Sequence, residues 1–600
     1  MKNRELTINR VNGKVKYLTE ILPEIPTNTI LYKKLTGLGA TYGELKAKRN
    51  SVIIEPNKPV IVGKCSDPKH SKDNLFGVYE GVYTDKIIAY MEKSVKKEKH
   101  IKILTTPESF RKVQDAFEAL EMDMRYECFL LFDECHKIVK DVDYRTNIIL
   151  PMDFFFECER KALVSATPLR FTDSRFEEQQ FQTITIHPAF DYAKDINLFV
   201  TNNVLPTMRE TLGRITDSNI FIFCNSTDTI YALMKQLGVL EESAMFCSPK
   251  SVDKLKKLKF KNASEQWEIK KMKKYNWLTS RFYNALDIEL EEAPAVLMLT
   301  DCYMAEFTMI DPYTDAIQIV GRFRNGVSVI YHIANTNHNL PIKSKEEIKG
   351  FIDCSEGIYN NMRTFYSSAP NRAAKEAYRA ALDCLPFNRM LDMHGNKNFF
   401  AIDNYMDEEL LKSSYHSPKT LVEAYSQCDS FRIHRNDFSY KLGDCERLKR
   451  VNKSLSLKEK RKQIVEQLEM LGECTTEMER EFKRELSQAD SFIVEAYDTI
   501  GKAKIESLHY SYRKIKEAII LTKHNEKSTG TEVIQLIKNL FQAGKWYSGA
   551  YIKSEIQRIF DALHITPPKA ITSHTINDYF IATEQRTKKG RGYYLIECRF

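Results

Sequence analysis

The residues best suited to chemistry are Asp133-Glu134-Cys135-His136, which directly follow the apolar run Phe129-Leu130-Leu131-Phe132. Such a run reads as a buried strand that delivers two carboxylates and an imidazole to its C-terminal end, where open parallel α/β sheets bind their ligands. One carboxylate there can hold Mg²⁺ while its neighbour orients a water, the division of labour that hydrolysis of a nucleoside triphosphate needs. Asp133 takes the first role and Glu134 the second. An Asp-Glu pair also ends strands by chance, so the reading draws its weight from two further stretches. Leu163-Val164-Ser165-Ala166-Thr167-Pro168 is another short apolar strand, ending in small hydroxyl residues. Gln318-Ile319-Val320-Gly321-Arg322-Phe323-Arg324-Asn325-Gly326 sets a glutamine and two arginines around a glycine, as contact with a terminal phosphate across a cleft requires. Taken singly these are an ordinary turn and an exposed basic loop. Together and in this order they point to polyphosphate chemistry.

The elements that must carry these residues follow from periodicity and punctuation. Residues 1–27 read as a polar lead-in that closes just after Pro23 and Pro26. A first α/β domain spans 28–190, with strands expected at 29–33, 51–54, 101–105, 128–132 and 161–165. A second spans 191–340, with strands near 219–224, 295–300 and 327–333. Short apolar strands alternating with helical stretches predict parallel sheets. Residues 341–450 read as a linker or accessory region and 451–525 as amphipathic helices. In the latter, Leu457, Ile464, Leu468 and Leu471, then Met478, Phe482, Leu486, Ala489 and Ile493, recur at helical spacing. Gly472 and Gly501 interrupt the heptads, so an intramolecular hairpin is expected rather than a coiled-coil dimer, and the chain is read as a monomer.

In this order the motifs resemble those of superfamily 2 helicases and translocases, the DEAD/DEAH-type group, over residues 28–335, a little over half of the chain. Asp133-Glu134-Cys135-His136 resembles motif II, Ser165-Ala166-Thr167 motif III, and Gln318 through Arg324 motif VI. Ile53-Ile54-Glu55-Pro56-Asn57 and Thr105-Thr106-Pro107-Glu108-Ser109 resemble motifs Ia and Ib, which grip the nucleic-acid backbone. Phe221-Ile222-Phe223-Cys224-Asn225-Ser226 resembles the first strand of the second domain. Leu278-Thr279-Ser280, followed by Ala285-Leu286-Asp287-Ile288, resembles motif V. The resemblance implies two tandem RecA-like domains with ATP and Mg²⁺ between them and nucleic acid as partner. It also implies that Ser165, Ala166, Thr167 and His136 couple the nucleotide to the grip on a strand. Gly-Arg-Phe-Arg places its second arginine one position early, a spacing closer to the viral origin-binding type. The roles of Arg322 and Arg324 stay open between them.

The phosphate loop departs from the family. Leu35-Thr36-Gly37-Leu38-Gly39-Ala40-Thr41 stands where the pattern is Thr-Gly-x-Gly-Lys-Thr, so Ala40 replaces the phosphate-binding lysine. Backbone N–H groups of the glycine turn can still cradle phosphate, and Thr41 remains as a second Mg²⁺ ligand beside Asp133. The lost ammonium weakens the grip on triphosphate by several kcal/mol, about the scale of one buried charge-assisted contact. Lys33, Lys34 and Lys64 are the candidates to replace it. Two readings follow: an ATP-driven helicase or translocase acting on DNA in replication or repair, and a helicase-like nucleic-acid-binding scaffold that no longer hydrolyses nucleotide.

Charged residues make up 28% of the 600 and apolar residues 43%, an ordinary globular balance. The 13 cysteines contain no Cys-x-x-Cys pair, and no run of eighteen apolar residues or signal-like segment follows the Met-Lys-Asn-Arg start. A reducing cytoplasmic setting is expected, with the nucleus as the alternative and no membrane. Net charge is +8, so its distribution matters more than its total. Between Lys250 and Lys274 ten lysines, Lys254, Lys256, Lys257 and Lys259 among them, face only Asp253, Glu265 and Glu268. Backbone phosphate contact is expected of this cluster as a whole, while Trp267 and Trp277 read as core residues. Residues 530–600 form a small module of three helices, near 532–542, 548–563 and 573–580, and a hairpin of 581–587 with 593–599. Its turn carries Lys588, Lys589 and Arg591. The pattern fits a winged helix-turn-helix that grips DNA, or a small α/β cap.

Overall fold

The computed structural model describes residues 2–11, 14–167, 171–284, 287–449 and 455–600. Residues 1–439 form one compact unit and 440–600 another. The first unit holds two eight-stranded sheets. The strands of the first sheet are β1 (Lys2–Ile8), β2 (Thr29–Tyr32), β3 (Ser51–Ile54), β4 (Leu75–Val78), β5 (Lys102–Thr105), β6 (Phe129–Phe132), β7 (Arg160–Ser165) and β8 (Gln182–Pro188). Their order is β1-β8-β2-β7-β6-β3-β5-β4, and every neighbouring pair is parallel.

A parallel sheet covered on both faces needs apolar side chains on both, which is why its strands are continuous apolar runs without alternation. Ile30, Val52, Ile54, Leu130, Phe132 and Leu163 enter one core with Ile87, Val113, Phe117 and Ile138. The intervening Leu31, Ile53, Leu104, Leu131 and Val164 enter the other, with Leu45 and Ile61. The register aligns them: Ile53 lies level with Leu104 and Leu131, and Leu31 with Val164. The stretch expected as a polar lead-in belongs to this lobe. Lys2–Ile8 pairs with β8 along its full length, and Leu18, Leu22 and Ile25 are buried in the second of these cores.

The second sheet contains β9 (Lys194–Thr201), β10 (Ile220–Phe223), β11 (Ser243–Phe246), β12 (Ala263–Ser264), β13 (Tyr275–Leu278), β14 (Ala295–Thr300), β15 (Val329–Ala334) and β16 (Phe431–Phe438). The order is β12-β11-β13-β10-β14-β15-β9-β16, again parallel throughout. The two sheets make the tandem RecA-like architecture that the motifs imply. This lobe does not end at Leu340: β16, from the stretch expected as linker, pairs with β9 over eight residues. It is an edge strand whose outer positions face solvent, so Arg432, His434 and Asn436 are tolerated in it and mask its strand pattern.

Helix Phe399–Ser414 spans the two lobes. Phe400 is buried in the first lobe's core, against Phe171, and Asp403 accepts from the Thr172 amide at 3.1 and 3.2 Å. Just past the other end, Tyr415 is fully buried in the second lobe's core.

In the unit of residues 440–600, helices Leu457–Leu471, Glu477–Ala489, Ser491–Ser507 and Tyr512–Ser528 pack on one another. Ile464, Leu468, Leu471, Phe482, Leu486 and Ile493 are buried there. Gly501, at φ +73°, breaks the third helix. Beyond them come helix Thr531–Leu540, β17 (Trp546–Ser548), helix Gly549–Ala562, β18 (Phe580–Thr587) and β19 (Gly590–Cys598). The third helix expected here is a six-residue 3-10 segment, Ser573–Asp578. The hairpin is tighter than expected: Thr587 pairs with Gly590, leaving only Lys588 and Lys589 in the turn, and Arg591, level with Arg586 on the other strand, forms an ion pair with Glu584. Among the described residues no helix is long and apolar enough to cross a membrane.

Candidate functional site

Strands β2, β7, β6 and β3 are neighbours, and each hands its next residue to one crevice at the sheet's C-terminal edge. The amide of Lys33 donates to the Ser165 carbonyl at 2.8 Å, that of Asp133 to Ile54 at 3.0 Å and that of Glu55 to Thr105 at 2.8 Å. The chain then turns through Gly37 and Gly39, with φ of +75° and +81°, left-handed values that a side chain would strain. Helix Ala40–Lys46 comes next, and the Thr41 hydroxyl donates to the Asp133 carboxylate. Two residues expected to share Mg²⁺ therefore meet. Leu38 and Ala40 point away, into the apolar core with Leu18 and Leu22.

Asp133 is buried, and burial alone would raise its pKa. Lys33 Nζ and Lys64 Nζ, each 3.8 Å from one of its oxygens, outweigh that and hold it below the usual carboxylate range. Lys64 also pairs with Glu55, whose burial pushes it up to about 7 against that ion pair. Cys135 is buried, and burial drives its thiol pKa well up, which leaves it inert as a nucleophile.

The second lobe closes over this floor. Gln318 Nε2 donates to Glu134 Oε2 at 3.3 Å, and the Thr36 hydroxyl donates to the Gly321 carbonyl at 3.3 Å. Arg322 is buried, and its guanidinium donates to the Gln318 carbonyl (3.1 Å), Gln318 Oε1 (2.9 Å) and the Asn284 carbonyl (2.9 Å). Arg324 is held by Asp287 at 2.6 Å and lies over the glycine loop, so close that a methyl group on Gly37 would come 2.5 Å from its Nη1. The arginine one position early is thus the one that faces the loop, while Arg322 braces Gln318.

His136 joins the lobes. Burial, with Lys137, Lys140 and Arg322 nearby, drives its pKa well below the usual value, so the ring is neutral. A neutral imidazole donates through one nitrogen and accepts through the other. Nδ1 bonds Ser165 Oγ at 3.0 Å and Nε2 bonds the Asn284 amide at 2.5 Å, one chain from the first lobe to the second. Ser165 Oγ also accepts from the Thr167 amide at 3.1 Å, with Ala166 buried between them. Lys140 adds a second link, pairing with Asp311 of the second lobe at 2.7 Å and with Asp407 of the bridging helix. Asn284 and Lys140 do not stand out in the sequence, because a lone polar residue outside a motif carries no local signal. Pro168, Ala285 and Leu286 lie outside the described residues.

A separate cleft of about 340 Å³ opens between the lobes. The first lobe lines it with Asn57, Lys137, Asp141, Tyr144 and Arg145, and the second with Asn225, Thr227, Ser248, Ser251, Thr279, Ser280 and Arg281. Hydroxyls, amides and guanidinium groups in this mixture are the usual partners of phosphate oxygens. Asn225, Thr279 and Ser280 meet in this lining. Pro56, Thr106, Pro107 and Ser109 are buried and do not line the cleft, and Ser226 caps helix Thr227–Leu237. Glu108 holds Arg145 at 2.6 Å and so acts on the cleft through it. Lys254, Lys256, Lys257 and Lys259 are not in the lining: the first three lie in the last turn of helix Pro249–Lys257, whose first turn supplies Ser251, and Lys259 lies just past it. Lys254 pairs with Asp228 at 2.6 Å. Trp267 packs on Phe221 and Phe246, and Trp277 is fully buried, its Nε1 donating to Ser243 at 3.1 Å.

The fold and crevice define a two-lobed RecA-like protein with an acidic pair facing an arginine. No family model and no curated protein matches the chain. Among solved structures it is similar to the helicase Lhr of Mycobacterium smegmatis bound to ssDNA and AMP-PNP, at TM-score 0.34 and 14% identity over 55% of this chain and 45% of that one. It is similar to S. cerevisiae Dbp5 bound to RNA and ADP BeF3, at 0.34 and 15% over 52% of this chain and 79% of that one. It is also similar to RecG bound to a three-way DNA junction, at 0.31 and 14% over 64% and 48%. The chain thus spans less than half of Lhr and of RecG. Likenesses of this size carry no weight for activity, and the architecture rests on the strand order itself.

Proposed function

We propose that this chain is a nucleic-acid-dependent nucleoside triphosphatase of the helicase or translocase type, acting on DNA of the kind that replication or repair presents. The observation that carries the reading is the convergence across the crevice. Glu134 touches Gln318, Asp133 touches Thr41, and Arg324 lies over Gly37, so residues from three distant stretches enclose one site. The donor set fits a magnesium nucleotide: Thr41 and Asp133 would hold Mg²⁺, which when bound neutralises charge on phosphate oxygens. Glu134, steadied by Gln318, orients the attacking water and takes up its proton. The water oxygen bonds to the terminal phosphorus as the bond to the bridging oxygen breaks, releasing the nucleoside diphosphate and phosphate. Arg324 offsets the charge that develops on the transferred group, and Arg322 keeps Gln318 in place.

The lined cleft is the proposed strand path. Arg145, Arg281 and Lys137 would meet phosphates and Tyr144 a base, while the Ser165–His136–Asn284 chain would tie lobe closure to that grip. The preference for DNA rests on the C-terminal module, whose helix-strand-helix order and Lys588-Lys589 turn suit a wing on duplex phosphates. Ala40, sealed in an apolar core, favours the second reading, a scaffold without turnover.

The test is phosphate release by the full chain with single-stranded DNA, RNA or neither, beside Glu134→Gln. We expect DNA to raise the rate and Glu134→Gln to lower it by about 100-fold or more. Equal background rates in both proteins would leave the scaffold.

A further inference from the structure

Ala40 cannot be seen as a lysine merely lost from an otherwise ordinary loop. It is 3% exposed and shares an apolar core with Leu18, Leu22, Ile25 and Leu38. The Leu18 amide donates to the Leu38 carbonyl at 2.9 Å, which ties the N-terminal segment to the loop. The space behind position 40 is filled by this protein's own chain.

The cations around the loop differ in what they hold. Lys64 is paired with Glu55, Lys34 turns to Asp429 at 3.2 Å, Arg324 is held by Asp287, and Arg322 by Gln318 and Asn284. Lys33 is different. Its side chain is 7% exposed, and its charged neighbour, Asp133, lies at 3.8 Å, beyond hydrogen-bond distance. Among the described residues no acceptor comes within hydrogen-bond reach of its ammonium. Its backbone is fixed at the C-terminal edge of the sheet by the bond from its amide to the Ser165 carbonyl.

We propose that Lys33, from the end of β2, supplies the ammonium that grips the terminal phosphates of the nucleotide, in place of a side chain at position 40. The inference rests on the reading of this crevice as a nucleoside-triphosphate site. Lys33 stands beside the carboxylate that meets Thr41, so its open donors face the metal-bearing end of a triphosphate. An ammonium kept for the stability of the fold would instead be fully bonded, and its removal would lower the melting temperature.

The experiment measures Mg²⁺-dependent binding of a fluorescent, non-hydrolysable ATP analogue and of the corresponding diphosphate to the full chain, together with the melting temperature without nucleotide. The variants are Lys33→Met, Lys33→Gln, Lys64→Met and Lys34→Ala. Lys33→Met and Lys33→Gln are expected to weaken the triphosphate analogue by about 10- to 100-fold, the loss of one or two charge-assisted bonds. The diphosphate should weaken less, and the nucleotide-free protein should melt close to wild type, because Lys64 at 3.8 Å and the Thr41 hydroxyl still meet the Asp133 carboxylate. Lys34→Ala should bind as wild type does. Unchanged affinity in both Lys33 variants, or a loss confined to Lys64→Met, overturns the inference and leaves the nucleotide site standing. Wild-type protein that binds neither nucleotide overturns both. If Lys33→Met and Lys33→Gln melt lower and lose triphosphate and diphosphate alike, Lys33 is a structural residue and the inference falls.

Discussion

Gly37→Ala is a small perturbation with a large expected consequence. Gly37 has φ +75°, where an alanine is less stable than glycine by about 1–2 kcal/mol. The added methyl would lie 2.5 Å from Arg324 Nη1 and 3.5 Å from its Cζ. Ordinary contact begins near 3.4 Å, so the guanidinium must retreat by about 0.9 Å. Asp287 holds the guanidinium at 2.6 Å, and moving away from the methyl draws it off the glycine loop. A misplacement of about 1 Å in a positioned group lowers turnover by about 100-fold. The fold loses little: the melting temperature should fall by a few degrees, since about 1 kcal/mol shifts a domain of 150–250 residues by about 2–4 °C. The assay is DNA-stimulated phosphate release at saturating nucleotide, for Gly37→Ala, Arg324→Ala and the double variant. Because both changes act on one guanidinium, the double variant should be no slower than Arg324→Ala. Additive losses, or a folded Gly37→Ala protein within about threefold of wild type, would refute the reasoning.

Two further outcomes are expected of the helix that joins the lobes. Phe400→Ala removes a ring buried at 3% exposure in the first lobe's core, a change that lowers stability by about 3–5 kcal/mol when the whole core feels it. Hydrogen exchange should speed first in residues 399–407 while the far end at Tyr415 stays protected, and uniform protection would show that the anchor does not restrain the helix. Asp403 is pushed up to about 7, chiefly by burial, with Asp173 and Asp407 adding to it and the Thr172 bonds opposing. Between about pH 4 and 7 the folded chain keeps a proton that the unfolded chain has lost, so this group makes stability fall as pH rises through that window. Asp403→Asn cannot ionise and should flatten the decline, by a few kcal/mol at most at pH 8. Parallel profiles of melting temperature against pH for the two proteins would contradict this.

Much of the site was legible because its signals are local. Phe129–Phe132 announces a buried strand by composition alone, and the residues just past such a strand are delivered to the sheet's C-terminal edge. Asp133 was therefore placed from its strand, and Ser165 from the end of another, whereas Gln318 lies on helix Asp315–Gly321 and was singled out by its motif. Long-range pairing was not legible. Phe431–Phe438 reads as polar chain because it is an edge strand with one wet side, and Lys2–Ile8 was missed for the same reason: five of its seven positions are exposed. The lysines of 250–274 look like one basic patch in the sequence, yet Lys254 is neutralised by Asp228 from another helix.

The sequence by itself determined the two parallel sheets, the acidic pair at a strand end and the glycine turn, since apolar runs and turn residues act within a few positions. Only the tertiary structure decided which cations surround that pair, that Arg324 rather than Arg322 faces the loop, and that Ala40 is sealed by Leu18 and Leu22. Those outcomes depend on how distant segments fill space and satisfy charge together, and no residue carries that information alone.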